Sequence, residues 1–77
     1  MRNISKIKLG RYRHYKGKNY QVFGIAKDHE TLEEFIVYRP LYKDEKYGGN
    51  FILRPVKEFL GEVVVKGRKV KRFRYPS

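Results

Sequence analysis

Most of the chain divides into short stretches whose successive side chains fall on opposite faces of an extended strand. Such stretches cover residues 11–15, 20–27, 33–39, 51–54, 62–65 and 68–70, and aromatic residues at positions 73 and 75 extend the last of them. A period of two residues is the period of a β-strand. The pattern therefore predicts five to six short strands.

The stretch over residues 20–27 has apolar side chains on both of its faces. Tyr20, Val22 and Ala26 point one way, whereas Phe23 and Ile25 point the other way. A strand of this kind is typical of a sheet that is covered on both sides. We therefore expect it to be the central strand of a barrel or of a strongly curled sheet.

One helical turn is predicted after the fourth strand. Val56, Phe59 and Leu60 are spaced i, i+3 and i+4, which places them on one face of a helix. Pro55 suits the first helical position, and Gly61 suits the position that follows the end. The remaining connections are a glycine- and asparagine-containing turn and two polar loops, at residues 16–19, 28–31 and 43–50.

The last hairpin has a predictable register. If residues 66–67 are its two turn residues, Val63 lies opposite Val70 on the core side and Glu62 lies opposite Lys71. Together the elements predict a mostly β fold. It is either a small SH3-like barrel or a strongly curled antiparallel sheet of five to six short strands, with one short helical turn.

The length of 77 residues allows a single domain, which we assign to residues 1–77. Residues 1–9 form either a first strand or a loose basic arm. Cysteine is absent, so no disulfide or thiolate metal site is expected, and a reducing, cytoplasmic location is consistent with this. No apolar run approaches the roughly 20 residues of a membrane span, so we expect a soluble protein without a membrane partner.

Basic residues concentrate at the two ends of the chain, whose net charge is +11. Residues 1–20 contain seven Lys or Arg and no acid, and residues 66–77 contain six and no acid. Because the termini of a small domain often lie close together, the two ends can form one positive field, and nucleic acid (DNA or RNA) is the leading predicted partner. The predicted contacts are Arg11, Arg13, Lys16, Lys18, Lys66, Arg68, Lys69, Lys71, Arg72 and Arg74. A solvated surface of a heat-adapted protein would carry a similar charge.

Aromatic residues interleave with these cations. Tyr12, Tyr15 and Tyr20 alternate with Arg and Lys near the N-terminus, and Phe73 and Tyr75 do so near the C-terminus. Exposed rings can stack on bases while Lys and Arg bind phosphates. Small barrels also present clustered tyrosines to extended peptides, so a peptide or protein partner is the competing interpretation.

The two histidines, His14 and His29, do not have a metal-binding spacing. His29 lies near Glu30 and Glu33, and a His–Glu pair can transfer protons. However, neither a nucleophile motif nor a phosphate-binding glycine loop accompanies the pair. We therefore assign no catalytic residue, no metal ligand and no cofactor, and we expect a binding module rather than an enzyme.

Three separate segments resemble the motifs of one small bacterial family. They read G-R-Y-R-H-Y-K-G from residue 10, H-E-T-L-E-E-F-I-V-Y-R-P-L-Y from residue 29 and R-P-V-K-E-F from residue 54. In order and spacing they are similar to the family catalogued as domain of unknown function sixteen-fifty-three. The chain departs from the family pattern at Ile52, where tryptophan is usual, and at Glu58, where methionine is usual. The resemblance implies a fold but no activity.

The resemblance also implies a second candidate site, made of polar and aromatic motif residues. These are Tyr12, His14, Tyr15, His29, Glu30, Thr31, Glu33, Tyr42 and Arg54. They would form either one buried polar network or one binding site. As a site, the group would bind a peptide or a small molecule without catalysis, chiefly through His14, His29, Glu30, Glu33 and Arg54. This is the alternative predicted function.

Overall fold

The structure is a computed structural model that describes residues 7–76. Residues 1–6, which make up most of the predicted arm at residues 1–9, and residue 77 lie outside the described residues. In chain order the elements are β1 (Gly10–His14), β2 (Asn19–Lys27), β3 (Glu34–Pro40), β4 (Ile52–Pro55), α1 (Val56–Phe59), β5 (Glu62–Val65), β6 (Arg68–Lys71) and β7 (Phe73–Arg74). No helix in this part of the chain is long and apolar enough to cross a membrane.

Five strands form one antiparallel sheet in the order β4–β3–β2–β1–β7. Strands β2 and β3 pair along most of their length, from Tyr20 opposite Pro40 to Lys27 opposite Glu34. Their register shifts just after Val22, and such a bulge increases the local twist of a sheet. The structure thus confirms the predicted mostly β fold, with a curled antiparallel sheet and one short helical turn.

Strands β5 and β6 form a separate two-stranded hairpin. Its register is the predicted one, with Val63 opposite Val70. The expectation that this pair lies on the core side is wrong, since Val70 is 37% exposed. The two turn residues, Lys66 and Gly67, have φ angles of 52° and 78°. Both angles are positive, as the commonest two-residue hairpin turn requires.

The core lies on one face of the sheet, which we call the inner face. Its buried side chains are Tyr12, Val22, Ile36, Tyr38, Phe59 and Phe73. The single turn of α1 lays Phe59 flat on Phe73, with ring centroids 4.1 Å apart and an interplanar angle of 7°. Tyr12 and Tyr38 pack edge-on against Phe59, at 5.2 and 5.4 Å. Large rings therefore supply much of the buried apolar area of this cysteine-free fold.

No element within residues 7–76 covers the opposite face of the sheet, which we call the outer face, so its side chains are open to solvent. Phe23 on β2 is 47% exposed, and Phe51 and Leu53 near the β4 edge are 60% and 57% exposed. Ile25, predicted to share the face of Phe23, packs instead against the core, because the register shift after Val22 turns it inward. The prediction of a central strand buried on both faces is therefore wrong, since α1 covers only the inner face.

Candidate functional site

Basic residues from the two chain ends meet on the neighbouring strands β1 and β7. Arg13 lies directly opposite Arg74, and His14 lies opposite Phe73. The rings of His14 and Phe73 contact each other on the inner face, with centroids 5.0 Å apart. Because side chains alternate along a strand, Arg13 and Arg74 project from the outer face, and so does Arg11. The fold thus joins cations from both ends of the chain at this position.

Further side chains continue the outer face toward β4. Arg39 lies opposite Gln21, which is itself opposite Arg11, so the three form one cross-strand row. The Arg39 guanidinium carbon is 5.7 Å from the centre of the Phe51 ring. Phe51 in turn meets Phe23 edge-to-face at 5.2 Å. We name this surface the outer face site, which consists of Arg11, Arg13, Arg39, Arg74, Phe23, Phe51 and Leu53.

The other predicted nucleic-acid contacts lie elsewhere. Four are exposed on the β5–β6 hairpin, namely Lys66, Arg68, Lys69 and Lys71. Lys16 and Lys18 are exposed in the turn between β1 and β2. Arg72 has a structural contact, because its Nε donates to the backbone oxygen of Glu58 at 3.2 Å. This bond ties the start of β7 to α1.

Few of the cations are paired with acids. Within residues 7–76 the one salt bridge joins Arg54 to Glu58, with 3.4 Å between Nη1 and Oε1. Most cations of the described residues therefore have no acidic partner, in a chain whose formal net charge is +11. A surface of this kind attracts polyanions.

A cleft of about 300 Å³ lies between the β5–β6 hairpin and the edge formed by β1 and β7. Arg13, Lys71 and Arg74 line it together with Tyr15. The Tyr15 ring is 39% exposed and lies 4.6 Å from the His14 ring. The cleft thus groups one accessible aromatic ring with cations of both chain ends.

A larger pocket, of about 490 Å³, opens at the end of the sheet where β1 turns into β2 and β3 ends. We name it the end pocket. Its wall includes His14, Tyr20, Tyr38, Tyr42, Arg54 and Phe73. The sequence predicts that His14, Tyr42 and Arg54 share a site, and the fold does bring these three side chains to one pocket.

Hydrogen bonds between side chains fix the aromatic wall of the end pocket. The hydroxyls of Tyr20 and Tyr42 are 2.8 Å apart and share one hydrogen bond. Burial, followed by this bond, raises the pKa of Tyr20 well above its usual value. Arg54 Nε donates to the hydroxyl oxygen of Tyr38 at 3.1 Å. One hydroxyl proton of the Tyr20–Tyr42 pair therefore remains available for an acceptor, as does the hydroxyl proton of Tyr38.

His14 offers one further N–H donor in the end pocket. Its Nδ1 accepts a hydrogen bond from the backbone N–H of Lys16 at 3.1 Å, which places the proton of the neutral ring on Nε2. Burial, followed by the charges of Arg54, Lys16 and Arg72, lowers the pKa of this imidazole. The ring is therefore mainly neutral at pH 7, with Nε2–H as its donor.

Lysines form the rim of the end pocket, namely Lys16, Lys18, Lys43 and Lys46. Lys18 Nζ stands 4.5 Å from the centre of the Tyr42 ring, and Lys46 Nζ stands 5.2 Å from that of Tyr47. The rim also contains Asp44, whose Oδ1 accepts from the backbone N–H groups of Lys46 and Tyr47 at 3.0 and 3.2 Å. That carboxylate is thus already engaged, and the rim keeps an excess of positive charge.

The polar residues of the second motif do not reach the end pocket. They are His29, Glu30, Thr31 and Glu33, all exposed in the loop between β2 and β3. The pocket lies next to Tyr20 at one end of β2, whereas the loop follows Lys27 at the other end. At about 3.3 Å per residue, the strand holds the two roughly 20 Å apart. The expectation that this loop meets His14 and Arg54 is therefore wrong.

The loop's polar side chains build the turn itself. Asp28 Oδ1 accepts from the backbone N–H groups of Glu30 and Thr31, both at 2.9 Å. These bonds, the one from Thr31 first, lower the pKa of Asp28. Thr31 Oγ1 likewise accepts from the Glu33 backbone N–H at 3.2 Å. No polar or charged residue within residues 7–76 is fully buried, so the alternative of one buried polar network is also wrong.

Tyr12, a predicted pocket residue, lies in the core. Its side chain is 6% exposed, and its hydroxyl donates to the backbone oxygen of Lys8 at 2.8 Å. Burial raises the pKa of Tyr12 above its usual value. The ring packs on Phe59 and supports the strand that carries His14.

Arg39, Phe23 and Phe51 are important parts of the outer face site that the sequence does not single out. Alternation indicates that they share a face, but their exposure depends on whether another layer covers the sheet.

Within residues 7–76, no group of three or more His, Asp or Glu side chains could hold a metal ion.

Comparisons with known proteins agree with the fold. A family model described as a protein of unknown function, DUF1653, matches residues 10–75. The chain is also similar to the crystal structure of a DUF1653 protein from Bordetella bronchiseptica, with 32% sequence identity and a TM-score of 0.84. That match covers 95% of this chain and 91% of the other. No curated protein matches the sequence.

Proposed function

We propose that this chain, which belongs to the DUF1653 family of proteins of unknown function, binds single-stranded nucleic acid through its outer face site. One observation carries the proposal: a single open face of the sheet holds both the cross-strand pair Arg13–Arg74 and the contact between Arg39 and Phe51. A single strand needs cations for its phosphates and exposed rings for its bases. The outer face site supplies both.

The exposed rings favour a single strand over a duplex. Phe51 and Phe23 are 60% and 47% exposed, and they stand edge-to-face, so each leaves ring surface accessible to a base. Bases of a duplex are already stacked on one another and are not free to stack on these rings. Arg11, Arg13 and Arg74 lie on the same face and would follow the phosphates.

The β5–β6 hairpin extends the positive surface beyond the sheet. Lys71 lines the same cleft as Arg13, Arg74 and Tyr15. A strand that leaves the outer face site across the β1–β7 edge would therefore meet further cations and one more accessible ring. The hairpin lysines and Arg68 contribute affinity without reading sequence, since contacts to phosphates carry no base information.

The test is a fluorescence anisotropy titration of labelled single-stranded RNA and DNA at several NaCl concentrations. We expect the affinity to fall steeply with salt, because phosphate contacts release bound counterions. Phe51→Ala should weaken binding roughly 5- to 150-fold, which corresponds to the ~1–3 kcal/mol of one stacked base. Arg13→Ala should lower the slope of log affinity against log salt by about 1.

Matched controls lie on the opposite side of the sheet. Lys57 and Leu60 are exposed on or next to α1, which packs on the inner face. Lys57→Ala should therefore leave the salt slope unchanged, and Leu60→Ala should leave the affinity unchanged. Binding that is insensitive to salt, or equal losses for Phe51→Ala and Leu60→Ala, would overturn the proposal.

A further inference from the structure

The available polar groups of the end pocket are hydrogen-bond donors. Arg54 uses its Nε on the Tyr38 hydroxyl, and its Nη2 has no partner among residues 7–76. The Tyr20–Tyr42 pair has one hydroxyl proton that it does not use internally. His14 keeps a proton on Nε2, because Nδ1 is already an acceptor. A ligand that satisfies this set must bring several acceptor oxygens.

The charges around the end pocket indicate that these oxygens belong to an anion. Arg54 stands on the wall, and four lysines stand on the rim. Against them are Asp44 and Glu45, and Glu58, which is paired with Arg54. Five cations against three carboxylates leave an excess of two positive charges around the pocket. A single carboxylate ligand would match half of this excess, whereas a group with two negative charges and several oxygens, a phosphate, matches it.

The size and lining of the end pocket indicate that the phosphate carries a substituent. Its volume of about 490 Å³ lies within the roughly 300–1,000 Å³ of typical small-molecule sites. Two half-buried aromatic rings, those of Tyr42 and Tyr47, also line it. Such rings pack well against a planar group, whereas a bare inorganic ion would leave them in water.

We infer that the end pocket binds a phosphomonoester attached to a planar group. The group is carried either by a small nucleotide-like molecule or by the 5′-phosphorylated end of a nucleic-acid strand. Arg54 and the rim lysines bind the phosphate oxygens, His14 Nε2 and a tyrosine hydroxyl donate to them, and the rings hold the planar part. The site opens at the end of the sheet and does not use the outer face site, so it does not depend on the proposed function.

The two histidines of the chain give a direct test by NMR. His14 lines the end pocket and also the neighbouring cleft beside Tyr15, so the Arg54→Gln variant below assigns its response to the pocket. By contrast, His29 is exposed in the loop at the far end of the β2–β3 hairpin. Imidazole nitrogen and proton signals are recorded at about pH 7.5, where a phosphomonoester is mainly a dianion, during titration with adenosine 5′-monophosphate. We expect the His14 signals to shift saturably and the His29 signals to stay in place.

Further ligands identify the chemistry and its source. Adenosine lacks the phosphate and should leave the His14 signals unchanged, while inorganic phosphate should shift them more weakly than the nucleotide. A 5′-phosphorylated hexanucleotide is compared with the same strand ending in a 5′ hydroxyl. A stronger response to the phosphorylated strand than to the mononucleotide assigns the site to strand ends, and the reverse assigns it to a small molecule.

Matched arginine variants locate the binding site. Arg54→Gln should weaken nucleotide binding about tenfold or more, since it removes a charge-assisted pair of hydrogen bonds. Arg39→Gln on the outer face should leave it unchanged. Because Arg54 also bonds Tyr38 and Lys18 stands over the Tyr42 ring, the second variant is Lys43→Gln in the exposed loop after β3, which removes one rim charge and leaves both of these wall contacts in place. It should weaken nucleotide binding as well.

The outcomes separate this site from the outer face site. Nucleotide binding that survives Phe51→Ala while strand binding falls would support two sites. Unchanged His14 signals with the nucleotide and both strands would overturn the inference, and so would equal responses to adenosine and its monophosphate. Neither of these results bears on whether a single strand binds the outer face, which anisotropy measures separately.

Discussion

His14 is half-buried in the wall of the end pocket, and its surroundings favour the neutral ring. Burial lowers its pKa first, and the charges of Arg54, Lys16 and Arg72 lower it further. The unfolded chain has no such environment, so its histidine titrates near the ordinary value of about 6.5. Protonation of this one residue is therefore coupled to folding.

We predict that acidification destabilises the fold partly through His14. Below about pH 6.5 the unfolded chain binds a proton that the folded chain resists, because the folded pKa is the lower of the two. The stabilisation is therefore complete above that pH and is lost as the pH falls toward the folded value. Urea unfolding at several pH values between about 7.5 and 5.5 should show this decline. The decline of the unfolding free energy should be shallower in His14→Asn, whose side-chain oxygen can still accept a hydrogen bond from the Lys16 N–H.

His29→Asn is the matched control for this prediction. His29 is exposed in the loop between β2 and β3, away from the pocket cations. Its variant should follow the wild-type pH dependence of the unfolding free energy. Equal slopes for all three proteins would show that His14 does not carry the coupling.

Single residues also show how far the sequence identifies a site. His14, Tyr42 and Arg54 are predicted to share a pocket, and the structure brings them together. Tyr20, whose hydroxyl bonds that of Tyr42, is not among the predicted pocket residues. From sequence alone, a tyrosine on a strand is interpreted as a core residue. Its neighbours on the adjacent strands decide which atom its hydroxyl bonds.

The β5–β6 hairpin shows what local sequence does determine about an element. Its turn and register follow from Lys66–Gly67 as the two turn residues, and both are confirmed. The information suffices because a two-residue turn fixes the pairing of the strands on either side. The turn nevertheless places Lys66 at φ = 52°, which is unfavourable for a lysine.

We predict that Lys66→Asn stabilises the protein by about 0.5–1 kcal/mol, because asparagine tolerates this left-handed conformation far better. Gly67→Ala, at φ = 78°, should destabilise it by about 1–2 kcal/mol. Thermal and urea unfolding of both variants measure the effects. Lys69→Asn within β6 removes the same charge without the turn effect, serves as the charge-matched control and should stabilise less than Lys66→Asn. A loss of stability in Lys66→Asn would contradict the assigned turn conformation.

The β2–β3 hairpin shows what local sequence does not determine. Both strands are predicted, yet the expected burial of Phe23 is wrong, because no second layer of described residues covers the outer face. The hairpin also separates two predicted motif segments. The loop after Lys27 and the turn before Tyr20 lie at opposite ends of β2. Strand length and pairing, rather than motif membership, decide which polar residues meet.

At the scale of the whole molecule, excess positive charge is nearly uncompensated. The net charge is +11, and residues 7–76 contain one salt bridge. Like charges repel one another more strongly in the compact state than in the expanded unfolded chain. The same charge that attracts a polyanion therefore opposes folding.

We predict that the midpoint temperature of unfolding rises when NaCl increases from about 20 to 300 mM, because the screening length falls from roughly 20 Å to below 10 Å. Differential scanning calorimetry measures the shift. Lys69→Glu, in the exposed part of β6, should raise the midpoint at low salt and should raise it less at high salt. A midpoint that does not change with salt would mean that self-repulsion is negligible in this fold.

Local sequence predicts six of the seven strands, the helical turn, the last hairpin register and the concentration of cations at both chain ends. Each of these follows from local periodicity, turn chemistry or composition. The expectation that Phe73 extends the preceding strand is wrong, because β7 leaves the hairpin and pairs with β1. The tertiary structure alone decided that Arg13 meets Arg74, that Phe51 is exposed beside Arg39, and that His14 and Arg54 share a pocket without His29. These placements depend on the pairing of distant strands and on which sheet face α1 covers. Both are set by packing across the whole chain, which a local pattern does not contain.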